Sequence, residues 1–229
     1  DYDASICAHS VNGRVVCRQC IDACPAEAIQ SLGELIEVDP YLCQGGGSCT
    51  TVCPSGAIRY LYPNLRDNGK RLRNMLQRYG AQGGADAIVL FHAEHYSPQG
   101  YLQAYDNLLP VAVEELASVG VELCLSALAY GAAQVVLYVD EQVPASSADN
   151  LRRQLDWVRD LIVTLGLDGE SIALCRDDAA LARIDAAPAI TAAEYDMPQG
   201  KRNALYQALD HLVAQLRPAL GSVELQAPA

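Results

Sequence analysis

Seven cysteines within the first 53 residues fall into two runs, and no other feature constrains the chain as strongly. The runs read Cys7-x9-Cys17-x2-Cys20-x3-Cys24-Pro25 and Cys43-x5-Cys49-x3-Cys53-Pro54. Sliding the sequence by 29 residues superimposes Cys20 on Cys49, Cys24 on Cys53, Pro25 on Pro54, Ala28 on Ala57 and Ile29 on Ile58. The segment is therefore an internal repeat: two copies of one thiol-bearing loop. The same shift lays Cys17 on Gly46, where the second copy has no thiol. Only Cys124 and Cys175 occur in the remaining 176 residues. That skew argues against a disulfide framework and for a small cysteine-liganded module joined to an ordinary globular one.

Two repeats that end in Cys-Pro resemble the bacterial dicluster ferredoxins, in which the fourth cysteine of each run binds the other run's cluster. The resemblance implies an α+β ferredoxin-like dicluster module over residues 1–62. Carried over residue by residue, it assigns Cys7, Cys17, Cys20 and Cys53 to one [4Fe-4S] cluster. The other cluster receives Cys24, Cys43 and Cys49, with an open corner at Gly46. Closely spaced thiolates on a tight loop cap three corners of a cubane. The last cysteine of each run is expected to start a short helix, with proline in its first turn.

Two departures from that pattern have separate consequences. Cys7 and Cys17 are separated by nine residues, but the insert carries Asn12-Gly13 between valines, a strong hairpin signal. A hairpin returns its ends to one place and keeps Cys7 within reach of the cluster. The alternative is a free thiol on a frayed terminus, with His9 or solvent in its place. The second departure is the Gly45-Gly46-Gly47 run, which offers no side-chain donor. A corner without a protein ligand loses its iron readily, so the second cluster is expected as [3Fe-4S] or as an incompletely ligated [4Fe-4S]. Glycine also lets backbone amides approach the inorganic sulfides, which raises the reduction potential. Zinc is the competing metal, since four thiolates also make a structural zinc site. Zinc motifs usually pair two Cys-x2-Cys knuckles, however, rather than the repeated Cys-Pro pattern.

Residues 63–84 read as a linker. Within it Lys70, Arg71, Arg73 and Arg78 surround an apolar stripe of Leu72, Met75, Leu76 and Tyr79. Such a helix is a solvated face or a docking patch, either for an acidic partner or for the acidic body of this chain. Glycines at 80, 83 and 84 then suggest a flexible break. From residue 85 to 229 strand-like and helix-like stretches alternate, which implies an α/β domain with a mainly parallel sheet. Strands are expected at 85–91, 109–113, 134–139 and 171–174, and helices at 98–108, through Leu116, Leu123, Leu125 and Leu128 to an end at Gly131, from Asp149 as N-cap to Gly166, and from 200 to 217.

The stretch from Ala85 to Arg176 also resembles the iron–sulfur delta subunit of viologen-reducing hydrogenase. The resemblance is carried by Ala85 to Phe91, by Leu125 to Ala132 leading into Val135 to Leu137, and by Leu165 to Glu170 after a long helix. The cysteines of that subunit are not reproduced: Phe91 to Tyr96 stands where a cluster would be expected, and Glu115 falls near another such position. The resemblance implies a scaffold that has lost its cluster and kept a docking role.

Other candidate sites weigh less. His92 and His95 with Glu94 could ligate a metal at a strand end, but alternation points the two imidazoles to opposite sides. Cys124 and Cys175 sit among apolar neighbours and read as small buried hydrophobes. No phosphate-binding loop, dinucleotide fingerprint or nucleophile motif is present, so neither flavin nor nicotinamide is expected. A net charge of −12 argues against a general nucleic-acid binder. No run of 18 apolar residues occurs, so no membrane span is expected. The chain starts at Asp1 without an export signal, which suits a fragment or processed product and, with its many thiols, a cytoplasmic setting.

The expected function is an iron–sulfur electron-transfer protein or subunit, passing single electrons through two clusters to a redox partner or larger oxidoreductase complex. The alternative is a cluster-stabilised or redox-sensing interaction protein whose α/β domain is the working surface. A third reading, in which iron at the open corner acts as a Lewis acid on a substrate, is weighed down because no acid or base residues lie beside Gly46 in sequence.

Overall fold

A computed structural model describes residues 1–176 and 190–220. The cysteine repeat folds as two short halves. The first half carries the hairpin β1 (Ser10–Val11) and β2 (Arg14–Val15), closed by Asn12 and Gly13 at φ +53° and +73°. That pair of positive φ values is what the Asn-Gly turn demands. Helix α1 (Gln19–Ala23) follows, then the antiparallel pair β3 (Ile29–Leu32) and β4 (Leu35–Val38). In the second half, α2 (Ser48–Val52) repeats α1 at the same 29-residue offset. The N-terminal chain is tied to the end of the module: Tyr2 bridges Ile58, and Asp3 N–H donates to Ala57 C=O at 2.7 Å.

One local expectation is corrected. Cys24 and Cys53 do not start helices; each is the C-cap of the helix before it, in extended geometry. The following proline is the reason, because its ring disfavours helical φ/ψ in the residue it follows.

Residues 65–81 form the helix α3 (Leu65–Ala81), N-capped by Asn64, whose side chain accepts from Asp67 N–H. Gly80 lies inside this helix rather than at a break. Leu72 and Leu76 are buried in the same apolar cluster as the parallel sheet. Arg71 donates to Ala112 C=O, and Arg73 donates to Glu194 C=O and pairs with Asp196 at 2.8 Å. Of the alternatives for this basic stripe, docking onto the chain's own acidic body describes these two arginines.

The remainder alternates as expected: β5 (Ile88–Ala93), α4 (Gln99–Ala104), β6 (Leu108–Val113), α5 (Val121–Ala129), β7 (Gln134–Tyr138), α6 (Ala145–Thr164), β8 (Ile172–Cys175) and α7 (Lys201–Leu220). All three strand pairings are parallel, in the order β6-β5-β7-β8. Successive residues of a strand face opposite sides. Val89 and Phe91 accordingly join one apolar cluster, with α3, α5, α6 and α7, while Ile88 and Leu90 join another with Tyr101 and Tyr138. Boundaries differ in several places, β5 among them, which runs Ile88–Ala93 rather than over 85–91. The helix expected over 98–108 stops at Ala104, and Leu108 begins β6. Leu116 lies in a separate helical turn (Leu116–Ser118) ahead of α5. Helix α6 starts at Ala145 after Pro144, so Asp149 is interior and pairs with Arg152 at 2.7 Å. Pro144, whose fixed φ suits a helix entrance, is the N-cap and makes no side-chain cap hydrogen bond.

The second half of the module docks on the α/β domain. Ser48 Oγ donates to Ser147 Oγ at 2.9 Å, Gln154 Nε2 to Thr51 Oγ1 at 3.1 Å, and Arg202 Nε to Pro54 C=O at 3.0 Å. Lys201 Nζ donates to the Thr50 carbonyl at 3.0 Å and to that of Thr51. Gly47 is the tightest point: at φ +76°, a Cβ there would lie 2.7 Å from Ser118 Cβ and 2.8 Å from Ser118 N. Overlap with backbone and a left-handed φ act together, so Gly47→Ala is expected to destabilise the cluster-loaded protein by about 1–3 kcal/mol. A denaturation midpoint unchanged from the parent would show that the interface yields instead.

Candidate metal centre

The fold gathers seven of the nine cysteines around two cavities. A narrow one is lined by Cys7, Cys17, Cys20 and Cys53, together with His9, Ile36 and Ile58. A larger one, of about 640 Å³, is lined by Cys24, Cys43 and Cys49, with Gly45, Gly46 and Gly47. Each set takes its Cys-Pro cysteine from the opposite repeat. All nine cysteines are free thiols.

Cys7 is not on a frayed end, because the strand pairing of residues 1–3 with 57–59 holds it. His9 is buried and both ring nitrogens are engaged, Nδ1 with Cys17 C=O and Nε2 with Ser31 Oγ, each at 2.8 Å. It therefore supports the hairpin rather than offering a donor to a metal.

The electrostatics follow the same grouping. Burial pushes the Cys20 thiol up to about 12, aided by the neighbouring Cys53, Cys17 and Cys49. Burial likewise pushes Cys49 up to about 11, aided by Cys24 and Cys43. Thiolates packed this closely repel one another without a cation between them. Cys53 is the exception. Burial pushes it up, but hydrogen bonds from the Ile58, Ser55 and Ala57 amides and the Ser55 hydroxyl outweigh this and hold it below its ordinary value. At the equivalent place in the first half, Ala28 N–H donates to Cys24 Sγ at 3.4 Å.

This donor set suits iron–sulfur clusters, which are held by thiolates on separate irons. A structural zinc ion instead needs donors about 2.3 Å from one centre. Among the described residues no group of three or more His, Cys, Asp or Glu side chains is close enough together to hold a single metal ion of any kind.

The large cavity also receives residues that the sequence left unconnected to the cysteines. Glu114 and Glu115, which follow β6, line it with Tyr60, Gln142 and Ser147. It thus sits at the carboxyl edge of the parallel sheet, the edge at which open α/β sheets place ligands. Burial pushes the Tyr60 phenol up to about 12, with Glu114, Glu115, Cys43 and Cys49 adding to it. Burial also raises the Glu115 carboxyl, with Glu114 beside it adding to the effect. The expectation that no acid or base groups accompany the open corner holds along the chain and fails in space. The chain separation between Gly46 and Glu115 hides the pairing from any local motif.

The histidine candidate separates. His92 is buried on β5 with Nδ1 against Ala93 C=O at 3.0 Å, whereas His95 Nε2 pairs with Asp140 at 3.0 Å. Cys124 is fully buried, as expected of a small hydrophobe. Cys175 is also buried, but its thiol lies 3.0 Å from the Tyr101 hydroxyl. No helix among the described residues is long and apolar enough to cross a membrane.

Residues 36–59 match the 4Fe-4S binding domain. The matched segment holds Cys43, Cys49 and Cys53, so the second half carries a recognisable iron–sulfur motif despite its missing thiol. No curated protein matches the chain. A 4Fe-4S ferredoxin domain followed by an α/β unit with a four-stranded parallel sheet is thus the architecture of this chain.

Proposed function

We propose that this chain transfers single electrons through two iron–sulfur clusters to a partner protein or a larger oxidoreductase. The first cluster is a [4Fe-4S] centre on Cys7, Cys17, Cys20 and Cys53; the second rests on Cys24, Cys43 and Cys49, with its remaining corner at Gly46. The observation that carries the reading is the division of seven thiols into two cavities, each borrowing one cysteine from the other repeat. Adjacent cavities suit stepwise electron passage, since Cys20 of one ring lies within electrostatic range of Cys49 of the other.

The α/β domain serves as the docking element, consistent with its resemblance to the hydrogenase delta subunit without that subunit's cysteines. Most of the large apolar side chains exposed among the described residues belong to the ferredoxin half, including Val11, Val16, Tyr41, Leu61 and Tyr62.

Iron and acid-labile sulfide content, EPR and reductive titration test the proposal together. More than about four irons per chain are expected, in two centres that reduce reversibly and pass electrons to an acceptor protein. An iron content of about four, or centres that decompose whenever they are reduced, would overturn it.

A further inference from the structure

The second cluster lacks a thiolate where the first has Cys17, and the structure shows what faces that gap. A Cβ built at Gly46 meets nothing within 4 Å, so the space before the missing side chain is open to the cavity. The neighbouring Gly47 is pressed against Ser118. Ser118 in turn is bound to Glu115: its amide donates to Glu115 C=O at 3.0 Å and its hydroxyl to the same oxygen at 2.7 Å. The glycine run and Glu115 are therefore held together by one close contact and one short helical turn.

Glu114 and Glu115 both line the cavity, but they differ in setting. Glu114 is exposed, whereas Glu115 is partly buried against the interface. Among the described residues no hydrogen bond or ion pair occupies the Glu115 carboxylate; the nearby His95 pairs with Asp140. Glu115 lines the same cavity as Cys24, Cys43, Cys49 and Gly46, and its partly buried carboxylate is a donor without a partner there.

We propose that Glu115, reaching across the domain interface, supplies the fourth protein ligand of the second cluster in place of the thiolate absent at Gly46. This rests on the two-cluster reading above. A carboxylate oxygen gives a lone pair to the corner iron, the carboxyl proton passes to solvent, and no electron is transferred. The corner is then oxygen-ligated and closed by the α/β domain, so a full second cluster ties the two domains together.

The full chain, reconstituted anaerobically with iron and sulfide, provides the test. Wild type is expected to hold about eight irons, and Glu115→Ala about seven, with the EPR signal of an oxidised three-iron centre appearing only in the variant. Glu115→Gln keeps the side-chain shape and is expected to behave as Glu115→Ala, which separates loss of the donor from loss of folding. Glu115→Cys should retain about eight irons and resist oxidative loss better than wild type. Identical iron content and spectra in wild type and Glu115→Ala, whether at about seven or about eight irons, overturn the ligand assignment while leaving two clusters in place. Wild type with about four irons overturns the two-cluster reading itself.

Discussion

Removing iron and sulfide is expected to unfold most of residues 1–62 while the parallel sheet stays folded. The cause is the size of the two cores. The buried apolar cluster of the cysteine module consists of Cys20, Ile29, Ile36, Cys53, Ala57 and Ile58, and two of these six are themselves thiols of the first ring. Its helices α1 and α2 have five residues each, far below the length at which a helix holds without support. The α/β domain instead buries Val89, Phe91, Val135, Leu137, Leu151, Ile162 and many others in one continuous cluster. A module of this size with so thin a core depends on its metal for most of its folding free energy. Hydrogen exchange reads the outcome directly. Amides of β3, β4 and α1 should lose at least about a thousandfold in protection on cluster removal, while those of β5 and β7 should keep theirs. Helix α2 should fall between, since Lys201 and Ser147 still hold it to the domain. Equal protection of β3 and β4 with and without clusters would show that the module folds by its own packing.

Cys53→Ala should strip at least one iron from the first cluster and spare the second, and Cys24→Ala should do the reverse. Each substitution lies in the repeat whose other cysteines serve the opposite centre, so the result discriminates crossed from local ligation. The structural basis is that Cys53 lines the cavity of Cys7, Cys17 and Cys20, whereas Cys24 lines that of Cys43 and Cys49. Both residues are extended C-caps before proline, which turns the chain out of the short helix at that point. In iron counts, Cys53→Ala should lose at least about one iron, the one whose thiolate is removed. In EPR, the signal that survives in Cys53→Ala should be the one that Cys24→Ala abolishes. Loss of the second centre in Cys53→Ala would refute the crossing.

Local patterns carried much of this molecule because their physical causes are local. The Asn12-Gly13 hairpin follows from two residues that tolerate positive φ, and the repeat of α1 as α2 follows from a repeated sequence. The alternation of β5 and β7 between two apolar clusters follows from the period of an extended chain. The same locality explains the failures. Asp149 is a good capping residue, but Pro144 had already started α6. Leu116 fits the period of α5 by spacing, yet Gly120 separates a one-turn element from the helix proper. Glycines at 83 and 84 suggested a break, but the helix before them runs through Gly80 because Leu72 and Leu76 anchor it to the core.

The candidate site divides along the same line. The two runs of thiols and the gap at Gly46 are written in the spacing, because each loop is a short-range device, whereas the crossed grouping is what the resemblance to dicluster ferredoxins implies. Glu114, Glu115 and Tyr60 carry no motif and became candidates only when the sheet's carboxyl edge was laid against the second repeat. That juxtaposition depends on the parallel sheet, on the turn at Leu116–Ser118 and on a glycine small enough at position 47 to admit Ser118. By itself, then, the sequence determined that this chain carries an iron–sulfur motif in a repeated thiol-rich loop and that the second copy lacks one thiol, since side-chain chemistry and spacing along the chain suffice for both. Only the tertiary structure decided what stands opposite that corner, because residues distant in sequence meet solely through the packing of one domain on the other.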